Sequence, residues 1–187
     1  MLMATAHTRW TTEMVHELPD DGNRYEVVNG ALLVSPAPSW PHQGAIQELF
    51  LRLHPYITKH AIGAAIWAPA DVEFDNHNMV EPDLFVVPRV EGRTPRSWQE
   101  AERLILTVEV LSPSSKRADR LVKRFLYQRH GVPEYWIIDL EARAVERWRP
   151  TDDRPAVLTE RLKWQPEPTA PALDIDLVEY FGDVLGD

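Results

Sequence analysis

The sequence predicts a single α/β domain spanning residues 1–187, and three features indicate this class. Sixteen prolines favour many short elements over a bundle of long helices. Residues 104–111 are apolar at nearly every position and rich in β-branched side chains, as in a strand covered on both faces. Apolar residues at helical spacing follow after a Ser-Pro-Ser-Ser break. Buried strands combined with amphipathic helices indicate an α/β domain.

The N-terminal third is predicted to contain a helix and a β-hairpin. A short helix capped by a threonine begins near residue 12 and ends before Pro19. The hairpin covers residues 20–34 and turns at Asn29-Gly30, a dipeptide that two-residue hairpin loops prefer. Glu26 lies on the opposite strand face from Tyr25. It can point into the protein or, equally well, to solvent.

A longer helix is predicted from about Pro41 to Lys59. One face of it is apolar, comprising Ile46, Leu49, Phe50, Leu53 and Ile57. His42 lies in its first turn, four residues before Ile46, and projects toward the buried side. There it can meet carboxylates or a substrate, although a bond to a nearby backbone group would explain the same position.

Two carboxylates stand at the ends of predicted strands. Strands at 64–68 and 71–74 lead to a turn at 75–78, and Asp83 begins the next strand, within residues 81–88. Glu109 lies near the end of the strand at 104–111. If these strands are antiparallel neighbours, both carboxylates reach one sheet edge, which favours a divalent-metal site. Alternatively, Asp83 begins a turn after Pro82 and Glu109 pairs with Lys123.

Burial of Glu109 requires a positive partner, because an unpaired buried carboxylate costs several kcal/mol. The helix that follows has Ser115 as its N-cap and ends at Gly131. Its expected apolar stripe consists of Ala118, Leu121, Val122, Phe125 and Leu126. Asp119 and Lys123 flank this stripe, so the amine of Lys123 can reach the strand ends. Arg120 and Arg124 are expected to face solvent.

The remaining segments are predicted from the same patterns. Residues 89–103, which include Glu102, are too long and polar for a tight hairpin loop and form a lid over the site or a solvated excursion. The predicted strands at 133–139 and 144–148 are separated by a turn at 141–142. A strand or hairpin follows at 156–164, and residues 173–185 end the chain with a strand end and a short helix.

Composition limits the function. The chain has no cysteine, which excludes disulfides and thiolate metal sites. It lacks a signal-peptide core and any apolar run long enough for a membrane span, so a cytoplasmic protein with no membrane partner is expected. The net charge of −9 argues against general coating of nucleic acid. A local patch still offers six cations, Lys116, Arg117, Arg120, Lys123, Arg124 and Arg129.

Several of these motifs occur together in one known family. In chain order they are Glu26, His42, Pro82-Asp83, the sequence EVLSPS at 109–114, Asp119 with Lys123, and VPEYW at 132–136. From about residue 24 to 148 the chain resembles the Uma2 family, once labelled a domain of unknown function, of the PD-(D/E)XK nuclease superfamily. The resemblance implies a restriction-endonuclease-like core, in which a mixed β-sheet is flanked by helices.

The same resemblance implies a metal site. Asp83 and Glu109 would be its carboxylates, the carbonyl of Val110 a further ligand, and Glu26 would complete it. The superfamily pattern expects a lysine two residues after the glutamate, where this chain has Leu111. Lys123 is the natural replacement, as is usual in the Uma2 group.

The favoured interpretation is therefore a Mg²⁺- or Mn²⁺-dependent endonuclease that hydrolyses phosphodiester bonds of DNA. Lys123 would orient water or stabilise the transition state, and His42 would assist substrate binding or proton transfer. Lys116, Arg117, Arg120 and Arg124 would contact phosphates, and a homodimer is expected from the superfamily. The alternative is a nuclease-fold protein that binds nucleic acid or a protein partner without cutting. A glycosidase is disfavoured, because Lys123 and the basic patch suit an anionic substrate.

Overall fold

The computed structural model describes residues 9–97, 100–101 and 103–187. In chain order the strands of this part are β1 (Arg24–Val28), β2 (Ala31–Ser35), β3 (Gly63–Trp67), β4 (Val72–Asp75), β5 (Asn78–Val80), β6 (Leu84–Pro88), β7 (Leu106–Val110), β8 (Tyr135–Asp139), β9 (Ala144–Trp148), β10 (Ala156–Leu158), β11 (Arg161–Trp164) and β12 (Leu173–Asp176). The helices are α1 (Thr12–His16), α2 (Trp40–Lys59), α3 (Lys116–Ala118), α4 (Arg124–Arg129) and α5 (Leu177–Leu185), with a π-helical turn, Asp119–Lys123, between α3 and α4. The fold is mixed α/β, as predicted.

A six-stranded mixed sheet holds the centre, in the order β10-β9-β8-β7-β6-β3. β6 and β7 are antiparallel neighbours, with Leu84 opposite Val108. β7 and β8 are parallel, and the chain between them forms α3, the π-turn and α4. The antiparallel pairing that the sequence analysis required of the two carboxylate-bearing strands is confirmed. Asp83 and Glu109 consequently meet at one edge of the sheet.

The N-terminal hairpin belongs to a second sheet, in the order β2-β1-β5-β4. Its turn is the predicted one, because Asn29 and Gly30 both have positive φ, as a two-residue hairpin loop requires. The predicted threonine cap is also confirmed, since the Thr11 side chain accepts a hydrogen bond from the Met14 N–H. The three-residue strand β5 was not predicted; it is too short to show an alternating pattern.

Alternation along β6 and β7 divides the core between two faces of the central sheet. On one face α2 packs with its predicted stripe, and Ile46, Leu49, Leu53 and Ile57 are all buried. The other face carries Phe85 and Leu111, which pack with Leu126 and Tyr127. Glu109, two residues before Leu111, points to this second face, toward the helical segment 116–129.

The predicted stripe of this helical segment is wrong in part. Leu121 and Phe125 are 52% and 56% exposed, whereas Asp119 and Lys123 are buried. The π-turn explains the difference, because the Arg124 N–H bonds to the Asp119 carbonyl five residues back and shifts the following side chains around the axis. The buried face of the segment is therefore the one that carries Asp119 and Lys123.

Three other outcomes concern loops and the C-terminal region. Residues 156–164 are two strands but not a hairpin, since β10 pairs with β9 and β11 with β12. The closing strand and helix are confirmed as β12 and α5. The predicted lid contains a Val90/Arg93 bridge, and Glu102 lies outside the described residues. Among the helices that the structure describes, none is long and apolar enough to cross a membrane.

Candidate active site

A cavity of about 340 Å³ opens where the ends of β6 and β7 meet. Asp83, Glu109, Val110 and Lys123 line it together with His42. Its walls are the connection from β2 to α2, residues 35–39, and the loop after β7, residues 111–115. No described residue of the predicted lid lines this cavity. Two neighbouring strands and two helical segments thus bring most of the predicted site residues to one place.

Asp83 is 1% exposed and fully engaged. Its Oδ2 accepts a hydrogen bond from the Val110 N–H at 2.7 Å and lies 3.1 Å from His42 Nε2. Its Oδ1 accepts a hydrogen bond from an Arg24 guanidinium N–H at 2.8 Å. Burial alone would raise the Asp83 pKa, but His42, Arg24 and the Val110 N–H lower that pKa to about 2. The carboxylate is therefore ionised, and it is more than a turn-forming residue.

Glu109 is 2% exposed on the second face of the same sheet edge. Its Oε1 accepts hydrogen bonds from Lys123 Nζ at 3.1 Å and from the Tyr127 hydroxyl at 2.9 Å. Burial raises the pKa of Glu109 well above its ordinary value, the Lys123 charge opposes this shift, and the nearby Asp119 adds to it. Tyr127 was not predicted, although its position four residues after Lys123 places both on one helix face.

Lys123 binds more carboxylates than the sequence analysis expected. Its Nζ lies 2.8 Å from Glu26 Oε2 and 3.5 Å from Asp119 Oδ1, in addition to Glu109. Burial lowers the pKa of Lys123, but the charges of the three carboxylates raise this pKa by more. The pKa of Lys123 therefore lies well above its ordinary value. Lys123 is therefore a buried ammonium whose charged form the three carboxylates favour.

The sequence analysis left two orientations open for Glu26 and two kinds of partner open for His42, and the structure distinguishes them. Glu26 is buried, with Oε1 accepting the Glu81 N–H at 2.9 Å, so it does not point to solvent. Its carboxylate holds Lys123 and does not line the cavity. His42 meets the Asp83 carboxylate, and no described residue bonds its Nδ1. Arg24, two residues before Glu26, was missed because hairpin strands commonly expose arginine.

The oxygen donors in the cavity fit a hard divalent cation such as Mg²⁺ or Mn²⁺. Four buried carboxylates, Glu26, Asp83, Glu109 and Asp119, face two cations, Lys123 and Arg24. Both oxygens of Asp119 are buried, and its partners among the described residues are Lys123, 3.5 Å from Oδ1, and the Ser115 side chain. Bound positive charge would favour the ionised form of Glu109, whose pKa burial raises. Still, within the described part of the chain no three His, Cys, Asp or Glu side chains form a ready-made metal site, so water would supply further ligands.

The basic patch differs from its prediction. Lys116 pairs with Glu141 at 2.7 Å. Arg120 is part-buried and pairs with Asp139 and Glu146, carboxylates of the neighbouring strands that the helix sequence does not reveal. Arg124 is buried, with its guanidinium 3.7 Å from the Phe125 ring centre and 4.4 Å from that of Trp148, so its predicted exposure is wrong. Arg117 remains exposed and forms no ion pair with the described residues.

A family model named Uma2 and described as "Putative restriction endonuclease" matches residues 12–178, most of the chain. The chain belongs to the Uma2 family. The match spans every residue of the cavity, and it supports a nuclease-like function for this Uma2 protein.

A solved structure gives independent support for the fold. The crystal structure of a putative nuclease belonging to DUF820 from Anabaena variabilis ATCC 29413 aligns with a TM-score of 0.73. The alignment covers 93% of this chain and 98% of that chain, at 22% sequence identity. No curated protein matches the chain. The Uma2 protein therefore has a nuclease fold.

Proposed function

We propose that this Uma2 protein is a Mg²⁺- or Mn²⁺-dependent nuclease that hydrolyses phosphodiester bonds of DNA. The observation that carries the proposal is the convergence of Asp83, Glu109 and Lys123 on one cavity. Two carboxylates and one ammonium suit an anionic substrate whose reaction builds negative charge. The Uma2 match supports the same class of reaction.

The roles of the side chains follow from their contacts. Asp83, Glu109 and the carbonyl of Val110 would hold the cation, which would polarise a phosphoryl oxygen and promote attack by water. Lys123, fixed by Glu26 and Asp119, would stabilise charge on the phosphoryl oxygens in the transition state. His42 would hold Asp83 in place and contact substrate.

A second candidate function is binding of nucleic acid or a protein partner without cutting. It is favoured by the internal partners of both carboxylates, since Asp83 is held by Arg24 and His42 and Glu109 by Lys123. A cation must compete with these partners for Asp83 and Glu109. Calorimetric titration with Mn²⁺ separates the two functions, because a protein that does not cut has no need of the metal.

The activity is tested by incubating single-stranded, duplex and branched DNA with the protein and Mg²⁺ or Mn²⁺. We expect cleavage of at least one substrate, loss of cleavage in EDTA, and loss of cleavage in Asp83→Ala. Cleavage that persists in Asp83→Ala would assign the activity to a contaminant.

Light scattering on the same preparation tests the expected homodimer, and fractionation of the source cells tests the expected cytoplasmic location.

A further inference from the structure

Trp40 is the most exposed large apolar side chain in the described part of the chain, with 90% of its surface accessible. It begins α2, between Ser39 and His42, two residues that line the cavity. Pro38 and Pro41 restrict the backbone on both sides of it. Trp67 is also exposed, at 51%, but its ring packs against Phe50 with ring centres 4.5 Å apart. Trp40 makes no ring contact within the described residues.

The depth of the site limits what can enter it. Asp83, Glu109 and Lys123 are each at most 2% exposed, at the bottom of a cavity of about 340 Å³. A volume of this order holds one small-molecule-sized group. In a duplex the phosphates lie on the outside of a stiff helix, so a strand must bend away from its partner for one of its phosphates to reach the bottom of this cavity. An unpaired strand meets this requirement at lower cost than a duplex.

The distribution of charge around the cavity also favours an unpaired strand over a duplex. The wall segments 35–39 and 111–115 consist of serine, proline, alanine and leucine and carry no charge. Lys116 and Arg120 are engaged by acidic residues and Arg124 is buried, which leaves Arg117 as the exposed cation of segment 116–124 without an ion pair to the described residues. The phosphate contacts that dominate duplex binding are therefore scarce here. The first turn of α2 carries no acidic side chain that would repel a strand.

We infer that the substrate is single-stranded DNA, and that the Trp40 indole stacks on an unpaired base beside the mouth of the cavity. The inference rests on the proposed nuclease function for the class of substrate. Stacking on an aromatic ring tolerates any base and raises affinity by roughly 5- to 150-fold per base. It supplies binding where, among the cations of segment 116–124, Arg117 alone is exposed without an ion pair to a described residue.

The test is fluorescence anisotropy of a labelled single-stranded oligonucleotide, measured in EDTA so that no cleavage occurs. Wild type should bind the strand more tightly than a duplex of equal length, and more tightly than the same strand carrying abasic sites. Trp40→Ala should lose roughly 5- to 150-fold in affinity and its preference for bases over abasic sites. Trp40→Phe should keep most of both. Trp67→Ala is the matched control and should bind like wild type.

Three results would overturn the inference: wild-type affinity in Trp40→Ala, tighter binding of the duplex, or a dimer in light scattering that Trp40→Ala dissolves. The last would assign the exposed indole to a contact between two copies of the chain. Because the binding test uses no metal, it is independent of whether the protein cuts. Binding through Trp40 without metal-dependent cleavage would refute the proposed function, and cleavage that is indifferent to Trp40 would refute the inference.

Discussion

The ammonium of Lys123 lies 3.1 Å from Glu109 Oε1, although the two residues are 14 positions apart and belong to different elements. The strand itself offers Leu111 two residues after Glu109, and Leu111 lines the same cavity. The helical segment therefore provides the lysine that pairs with Glu109, whereas the superfamily pattern expects that lysine on the strand itself. This contact joins the helical segment to the strand of Glu109, so substitutions of Lys123 test both the proposed catalysis and the stability of the fold.

Lys123→Met is expected to slow cleavage and to destabilise the fold. The substitution leaves Glu26, Glu109 and Asp119 without their shared ammonium, which costs about 3–5 kcal/mol for a buried ion pair. Removal of a positioned charge should also lower the cleavage rate by roughly a hundredfold or more. Thermal unfolding and single-turnover cleavage measure the two effects.

The double variant Lys123→Met/Glu26→Gln separates these effects. Neutralising Glu26 removes one unpaired charge, so stability should recover in part while cleavage stays low. Adding Leu111→Lys to Lys123→Met should restore part of the activity, since residue 111 lies in the same cavity. Full activity of Lys123→Met would remove Lys123 from the mechanism.

Glu109→Gln should weaken Mn²⁺ binding more than Glu26→Gln does. Both glutamates are 2% exposed and both contact Lys123, but Glu109 lines the cavity and Glu26 does not. Isothermal titration calorimetry of the two variants provides a matched comparison. Equal losses of Mn²⁺ affinity in the two variants would indicate that Glu26 also binds the metal, as the family resemblance implies.

Two arginines of the helical segment should behave differently in DNA binding. Arg117→Ala removes an exposed cation and should reduce the slope of log affinity against log salt by about 0.7 for a single strand. Arg124→Ala removes a buried guanidinium packed on Phe125 and Trp148 and should lower stability by about 1–2 kcal/mol. A reduced slope in Arg124→Ala at unchanged stability would restore its predicted role in phosphate contact.

Metal should stabilise the protein more at about pH 8 than at about pH 6. Burial raises the pKa of Glu109 in the folded state. When the pH lies between the ordinary pKa of a glutamate and this raised pKa, the unfolded protein has lost the proton and the folded protein retains it. The free energy of unfolding therefore falls as the pH rises toward the folded pKa. A cation binds the ionised carboxylate and displaces that proton. The shift in melting temperature with Mn²⁺ should therefore grow with pH. A shift in melting temperature that is independent of pH would show that Glu109 does not bind the metal.

Sequence patterns predicted the elements whose local and global signals agree. The Asn29-Gly30 turn, the stripe of α2 and the apolar strands of Asp83 and Glu109 each carry a local signature that the fold respects. The contact of Lys123 with Glu109 was predictable because burial of a carboxylate demands a positive partner.

The patterns failed where distant partners decide the outcome. Nothing in the helix sequence indicates that Arg120 meets Asp139 and Glu146, or that a π-turn exposes Leu121 and Phe125. Arg24 and Tyr127 were missed for the same reason, since both act through carboxylates that lie far away in the chain.

The most direct test of the account is the Mg²⁺ dependence of single-turnover cleavage of single-stranded and duplex DNA, compared among wild type, Asp83→Asn and Asp71→Asn. Asp71 is an exposed acidic residue that lines a different cavity and serves as the control. We predict saturable Mg²⁺ activation for wild type and Asp71→Asn, and a loss of roughly a hundredfold or more for Asp83→Asn. No cleavage by wild type at any Mg²⁺ or Mn²⁺ concentration, or equal cleavage by Asp83→Asn, would contradict a metal-dependent site at Asp83, Glu109 and Lys123.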